Sequence, residues 1–517
     1  MTISAPEQLP TVRAPVSPTV LPSRVRVLVV GTGFAGLGTA IRLRQEGETD
    51  FAVLERGASV GGTWRDNSYP GCACDVPSHL YSFSFAPNPH WSRAFSPQPE
   101  IHAYLERTAE QFGVLPHVHF GTELLAARYD DVSAVWHVET SRGAVTADVL
   151  VLGSGGLSEP SIPQVPGLDR FEGTTFHSAT WDHEHDLTGR RVAVIGTGAS
   201  AIQFVPHVQR LAARMTLFQR TAPWVMPRRD RAITALERRL FTAVPAAQKL
   251  NRAGIYVGRE SWLIGFTMKP RLMGLAERIA RLHLRRQVPD PVLRDRLTPR
   301  LRLGCKRVLL SNDYYPALSQ PNADVVPDPI LAVTANAVVT QGPGGRRVEH
   351  PTDTIIFGTG FQVSDPPIAE RVYGADGRSL RQEWAENGMA ALHGVTMAGF
   401  PNLFLLVGPN TGLGHTSIVY MIEAQIAYVL DALAQMRATG VASVALRREV
   451  QDTWNTGLQE ALAGTVWNAG GCSSWYLDRN GRNTTLWPTF TLPYRRTLSR
   501  FGVTLYDTTP ARVRSAA

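Results

Sequence analysis

Arg24 and Arg26 lead into four apolar residues, Val27 to Val30, that stop at a glycine turn, the pattern of a buried parallel strand. Leu37, Ile41 and Leu43 then recur at helical spacing over 35–46 until Gly47, and DFAVLER gives a second strand ending in Glu55. Strand, glycine turn, helix and strand make one βαβ unit. The same grammar returns in RRVAVIGTGASAIQF: strand Val192 to Ile195, turn Gly196 to Ala201, and a helix through Val208 to Leu211. MTLFQR follows as a strand ending in Arg220. The closing residue falls at the same distance from the first glycine in each unit, since 55 − 31 and 220 − 196 both give 24.

Between about Asp230 and Arg302 this texture gives way to helix, with Leu275, Ile279 and Leu282 on one face and arginines on the others. Sheet-like runs return at ADVV, TDTIIFGTG and PNLFLLVGP, and a helix around Ile418 to Leu433 is expected to complete the first unit's domain.

Composition narrows the classes. A chain of 517 residues exceeds one core and suggests two to four domains. With 44% hydrophobic and 19% charged residues, wholesale disorder is excluded. No run of eighteen apolar residues occurs, so no transmembrane segment is expected. Residues 1–23 are proline-rich without a continuous apolar region and read as a flexible tail, not a secretory signal. Cys72, Cys74, Cys305 and Cys472 are too few for a disulfide framework and fit a reducing, cytoplasmic setting. Lys plus Arg is 52 against 44 acids, a net charge of +8. Residues 278–307 hold ten Arg or Lys against two Asp, yet no nucleic-acid motif accompanies them. They read as a solvated basic helix face near an anionic cofactor.

The two glycine turns define that cofactor chemistry. In GTGFAG, Gly31 permits the turn, Gly33 lets backbone approach a pyrophosphate, and Gly36 allows close helix–strand packing around Phe34 and Ala35. The helix that follows offers unpaired N–H groups to phosphate. Glu55 suits both ribose hydroxyls and repels a 2′-phosphate, which selects FAD or NAD. The second turn runs Gly196, Thr197, Gly198, Ala199, Ser200, Ala201 and on to Ile202, and its strand ends in Arg220 and Thr221. A guanidinium there fits a phosphate dianion and selects NADPH. FAD with NADPH implies a hydride relay through flavin to a further acceptor.

Three acceptors compete: a cysteine pair, nothing beyond the flavin, or dioxygen. Cys72 and Cys74 are separated by one residue and would close a strained ring, so inert thiols are the better reading. FEGTTFHSATWD, from Phe171 to Asp182, matches the pattern F-x-G-x-x-x-H-x-x-x-W-[P/D], and on it the chain resembles the Baeyer–Villiger monooxygenases. Family-like blocks also occur at 61–85, 304–318, 355–361 and 403–417, so the resemblance spans about Val27 to Tyr494.

This resemblance implies NADPH- and O2-dependent conversion of a ketone to an ester or lactone through a flavin peroxide, with no metal. It marks Thr63, Trp64, Asp75 and Tyr81 as flavin contacts, and Lys306 as joining Arg220 around the 2′-phosphate. Arg307 becomes the active-site cation and Asp75 its acidic partner. Phe171, Gly173, His177 and Trp181 belong to the fingerprint, His177 coupling domain motions, although spacing alone equally allows a capped loop histidine. Trp467, Trp475 and Trp487 can line a pocket or pack in a core. A flavin-dependent N- or S-oxygenase and an oxygen-independent NADPH–flavin reductase remain the alternatives. The expected fold is α/β, with two Rossmann-like dinucleotide-binding domains. The FAD domain is split (24–157 and 362–517) around an NADPH domain (158–228 and 303–361) that carries a helical insertion at 229–302. The linkers near 153–160 and 358–365 are expected hinges.

Overall fold

The computed structural model describes residues 20–472, 474–478 and 480–511, so most of the tail expected at 1–23 lies outside the described residues. The strand Arg24–Val30 pairs in parallel with Phe51–Glu55 on one side and Gly143–Leu152 on the other. Val27, Leu28 and Val29 are fully buried, which is why the strand carries no polar residue beyond Arg24 and Arg26. An antiparallel meander (Leu124–Asp130, Val135–Thr140, Gly143–Leu152) extends the sheet to one side. Leu403–Leu405, far along the chain, pairs in parallel with Gly143–Leu152 and brings the sheet to eight strands.

A second, five-stranded sheet is parallel throughout. Its order is Ala323–Val326, Arg214–Phe218, Arg191–Ile195, Thr354–Phe357 and Thr174–His177. All five strands fall, in sequence, between Gly143–Leu152 and Val372–Tyr373, where the chain returns to the first sheet beside Leu124–Asp130, so one Rossmann-like domain is inserted into the other. The two crossing segments run side by side. Pro160 bridges Phe361, Ser161 N–H donates to Gly360 O, and Gln362 N–H donates to Glu159 O.

The helix Ile418–Thr439 lies along Phe34–Gln45 and backs the first sheet. It is long and apolar enough, by length and composition alone, to cross a membrane. Its residues Val419, Ile422, Ile426 and Val429 are buried against the protein core.

Two local expectations need correction. The strand expected to end at Arg220 stops at Phe218, because Gln219 N–H turns to Val326 O and the next residues form the loop at the strand's carboxyl end. The 229–302 insertion is helical, with helices Ala235–Ala243, Pro245–Glu260, Met273–Gln287 and Pro291–Arg296. Leu275, Ile279 and Leu282 do share one face of their helix, and that face is exposed, at 67%, 42% and 47%. That helix has a second apolar stripe, Met273, Ala280 and Leu284, and this one is buried, against the strand Val225–Met226. Finally, Cys305 and Cys472 are joined as a disulfide with Cα atoms 6.1 Å apart, whereas Cys72 and Cys74 are free and buried. The partners are 167 residues apart in sequence, a distance at which spacing carries no pairing signal.

Candidate active site

Both glycine turns open into one cavity of about 1420 Å³, larger than the roughly 300–1000 Å³ of a pocket for one small molecule. At the first turn, a Cβ on Gly36 would meet Gly31 O at 1.8 Å, so only glycine lets the helix Phe34–Gln45 start this close to its strand. The residue before that helix, Gly33, places no side chain over its first N–H groups, which therefore stay open to an anion. Glu55 is 4% exposed at the end of its strand. One carboxylate oxygen accepts from Thr32 N–H and Oγ1, at 3.0 and 2.5 Å; the other accepts from Gly57 N–H at 2.7 Å and pairs with Arg65 at 2.8 Å. This network fixes the acid at the rim of the cavity beside the first turn.

Aromatic rings follow. Trp64 Nε1–H donates to Tyr81 Oη at 3.0 Å, and the Tyr81 ring stands edge-on to Phe34 at 5.1 Å. Thr63 opens the short helix Thr63–Asp66 on the same wall.

Facing these groups is a two-pronged ion pair. Arg307 Nε–H and Nη2–H donate to the two carboxylate oxygens of Asp75 at 2.8 and 2.7 Å, the fork geometry that fixes a guanidinium plane. Both side chains keep partial exposure to the cavity, at 34% and 24%. Burial opposes ionisation of Asp75, yet the adjoining Arg307 charge, helped by Arg259, holds its carboxyl below the usual value. The Asp75 carboxylate in turn raises Arg307 above an already high value, so this cation persists at any working pH.

A carboxyl depressed on folding stabilises the fold fully above its ordinary value, about 4, and loses that contribution as pH falls through the depressed one. Asp75→Asn is therefore expected to cost about 1–2 kcal/mol in urea unfolding at pH 7, with the gap closing toward pH 2. A gap of equal size at both pH values contradicts the pairing.

At the second turn Gly196 has φ +110°, a conformation that glycine adopts freely. Thr197 Oγ1 donates to Thr221 O at 3.2 Å and closes the turn onto the loop bearing Arg220. Gly198, Ala199 and Ser200 line the cavity, while Ala201 and Ile202 start the next helix and are buried beneath it. Lys306 lies close to Arg220: burial, and then this neighbouring charge, lower its ammonium from the usual value. Two cations at such range, neither in an ion pair among the described residues, suit a dianion. Arg220→Gln is expected to raise the KM for NADPH by about 10–100-fold and leave NADH use nearly unchanged, in steady-state oxidation assays. Equal losses with both cofactors contradict a 2′-phosphate contact.

The fingerprint residues lie near the paired linkers. His177 ends a strand beside Phe357, its Nδ1 accepts Ala179 N–H at 3.1 Å, and its ring stands edge-on to Phe361. Burial lowers its pKa. Gly173 leads into this strand, and Phe171 packs against the second sheet's core. Trp181 is partly buried between Phe176 and Phe204. Of the carboxyl-terminal tryptophans, Trp467 and Trp487 are core residues, and Trp475, 44% exposed, lines the cavity.

Sequence reasoning missed four contributors. Arg259, on the helix Pro245–Glu260, donates to Asp75 O at 2.9 Å. Tyr476 is buried near Arg307, burial raising its phenol to about 12. The Gln203 carboxamide accepts from Ala73 N–H and donates to Ala73 O, at 3.2 and 3.0 Å, tying the second domain to the Cys72–Cys74 loop. Burial raises the Cys72 thiol to about 12, consistent with an inert role. Gly153 packs against Gly31 and Gly36, and only its place in VLGSGG, glycines after a strand, could have signalled it. Arg259, Tyr476 and Gln203 carry no local signal, since each acts across a long sequence separation.

Two dinucleotide turns sharing one cavity with a fixed guanidinium define a pyridine-nucleotide-dependent flavoprotein class. Residues 24–237 match the family described as Flavin-binding monooxygenase-like. A Baeyer-Villiger monooxygenase of Streptomyces coelicolor is 53% identical over 498 residues, covering 95% of each chain. One from Pseudomonas aeruginosa is 51% identical, covering 94% of this chain and 91% of that one. The crystal structure of cyclohexanone monooxygenase from Rhodococcus sp. Phi1 bound to NADP+ superposes with a TM-score of 0.84 at 27% identity, over 95% of this chain and all of that one. The chain belongs to the flavin-dependent Baeyer–Villiger monooxygenases.

Proposed function

We propose that this chain uses NADPH and O2 to insert one oxygen atom beside the carbonyl of a ketone, giving an ester or lactone. The observation that carries this reading is the Arg307–Asp75 fork, held in the cavity that both glycine turns share. FAD is assigned to Gly31, Gly33, Phe34, Ala35, Gly36, Glu55, Thr63, Trp64, Asp75 and Tyr81. NADPH is assigned to Gly196 through Ile202 with Arg220, Thr221 and Lys306. The division of labour follows the boundaries 24–157 with 362–517 for FAD and 158–228 with 303–361 for NADPH.

When bound, the flavin supplies the redox chemistry, accepting hydride from NADPH and activating O2. The chain's own contribution is electrostatic. Arg307, permanently charged and unable to swing because Asp75 holds two of its donors, meets the negative charge that builds on oxygen as the ketone carbon is attacked. Asp75 is thereby committed as an acceptor and does not serve as a general base. The cavity wall of Trp64, Tyr81, Leu413 and Trp475 limits water around that charge. His177 and the paired linkers at 153–160 and 358–365 lie where one domain would turn against the other.

The test is purified flavoprotein with NADPH, air and a panel of linear, cyclic and aryl ketones, products resolved by gas chromatography. Esters or lactones formed in step with NADPH use support the assignment. NADPH oxidation with hydrogen peroxide as the sole product across the panel rejects it.

A further inference from the structure

The helical insertion carries an outward face that neither glycine turn uses. Half of the large apolar side chains that stand exposed among the described residues fall between Leu236 and Leu282. Leu272, Leu275, Ile279 and Leu282 follow one another at helical spacing along Met273–Gln287 and the turn before it, and Leu272 is 55% exposed. Met268, in that approach, is 65% exposed, and the helix Pro245–Glu260 also leaves Leu250 and Val257 in solvent. Arg278 and Arg285, seven residues apart, line one edge of the stripe, and Arg286 sits at its carboxyl end; all three are exposed. None of the three makes a salt bridge among the described residues. Glu277, the helix's one acid, is turned the other way, accepting Leu303 N–H at 3.1 Å.

A leucine–isoleucine stripe edged by unpaired arginines is the chemistry of a helix lying in the interface of an anionic bilayer. A second copy of the chain is the poorer partner, because a self-matched contact would bring two arginine edges of like charge together. We propose that this face docks on an anionic lipid surface, with the apolar stripe entering the acyl boundary and Arg278, Arg285 and Arg286 meeting lipid phosphates. The arginine stems are long enough to leave their heads at the phosphate level while the leucines go deeper. One flank of the same helix, at its carboxyl end, holds the segment that follows Arg307. His283 Nε2 pairs with Ser311 O at 2.9 Å, and Gln287 donates to Asn312 O at 2.8 Å, a few residues beyond Arg307. Docking would thus occur beside the segment that carries Arg307.

Co-sedimentation of the flavin-loaded enzyme with vesicles rich in phosphatidylglycerol, against pure phosphatidylcholine, at low and high salt, tests this. Binding to the anionic vesicles is expected, weakened by salt. The exposed double change Leu275→Asp with Ile279→Asp is expected to reduce the bound fraction about tenfold or more. Arg278→Gln and Arg285→Gln should each weaken partition about fivefold, and they keep the question answerable if the aspartates prevent folding. An unchanged flavin spectrum and melting temperature certify each variant. Equal sedimentation with and without anionic lipid overturns the proposal. So does a concentration-dependent dimer, seen by light scattering, that Leu275→Asp abolishes, since that gives the face to a second copy.

Discussion

Arg307→Ala is expected to lower ester formation by about a hundred- to a thousandfold while NADPH still reduces the flavin within a few-fold of the parent rate. The asymmetry follows from geometry. Arg307 stands with Asp75, whereas the cations beside the second glycine turn are Arg220 and Lys306. Loss of one preorganised donor aimed at developing charge typically costs about 3–4 kcal/mol of barrier, which is the fold-change given. Removing the guanidinium also leaves the Asp75 carboxylate facing the cavity with Arg259 as its nearest remaining cation, an unfavourable charge for an anionic transition state. Stopped-flow reduction together with product quantification separates the two steps. Ester formation at near-parent rates would show that Arg307 is structural.

Gly36→Val is expected to abolish flavin retention. A Cβ at this position meets Gly31 O at 1.8 Å and its carbonyl carbon at 2.8 Å, both backbone atoms that cannot rotate away. Relief requires the helix Phe34–Gln45 to shift off the strand Arg24–Val30, which opens the close contact with Gly153 as well. Disruption of a packed core of this kind costs several kcal/mol, about 3 or more. The measurement is the flavin-to-protein absorbance ratio of the purified variant, with its melting temperature. A fully loaded, yellow Gly36→Val protein would contradict the close-packed turn.

Much of this architecture was legible because its signals are local. Gly31 to Glu55 and Gly196 to Arg220 each fit within one βαβ unit, and a buried parallel strand leaves an unmistakable apolar run. The bond between Leu403–Leu405 and Gly143–Leu152 was foreshadowed by PNLFLLVGP, which has that same texture. What escaped depends on tertiary placement. Arg259 sits among many arginines of the insertion, and only packing of its helix against Asp75 distinguishes it. The pairing of Cys305 with Cys472 requires the carboxyl-terminal segment to fold back beside Lys306. Leu275, Ile279 and Leu282 share a face as their spacing requires, but their helix has two apolar stripes, and periodicity does not say which one the protein buries.

The most direct measurement is isotope transfer from dioxygen. With a panel of linear, cyclic and aryl ketones, NADPH and ¹⁸O2, mass spectrometry of the product should show one labelled atom per ester, with one NADPH oxidised for each. Unlabelled ester, or labelled hydrogen peroxide accumulating with the ketone untouched, would contradict oxygen insertion at the Arg307 site.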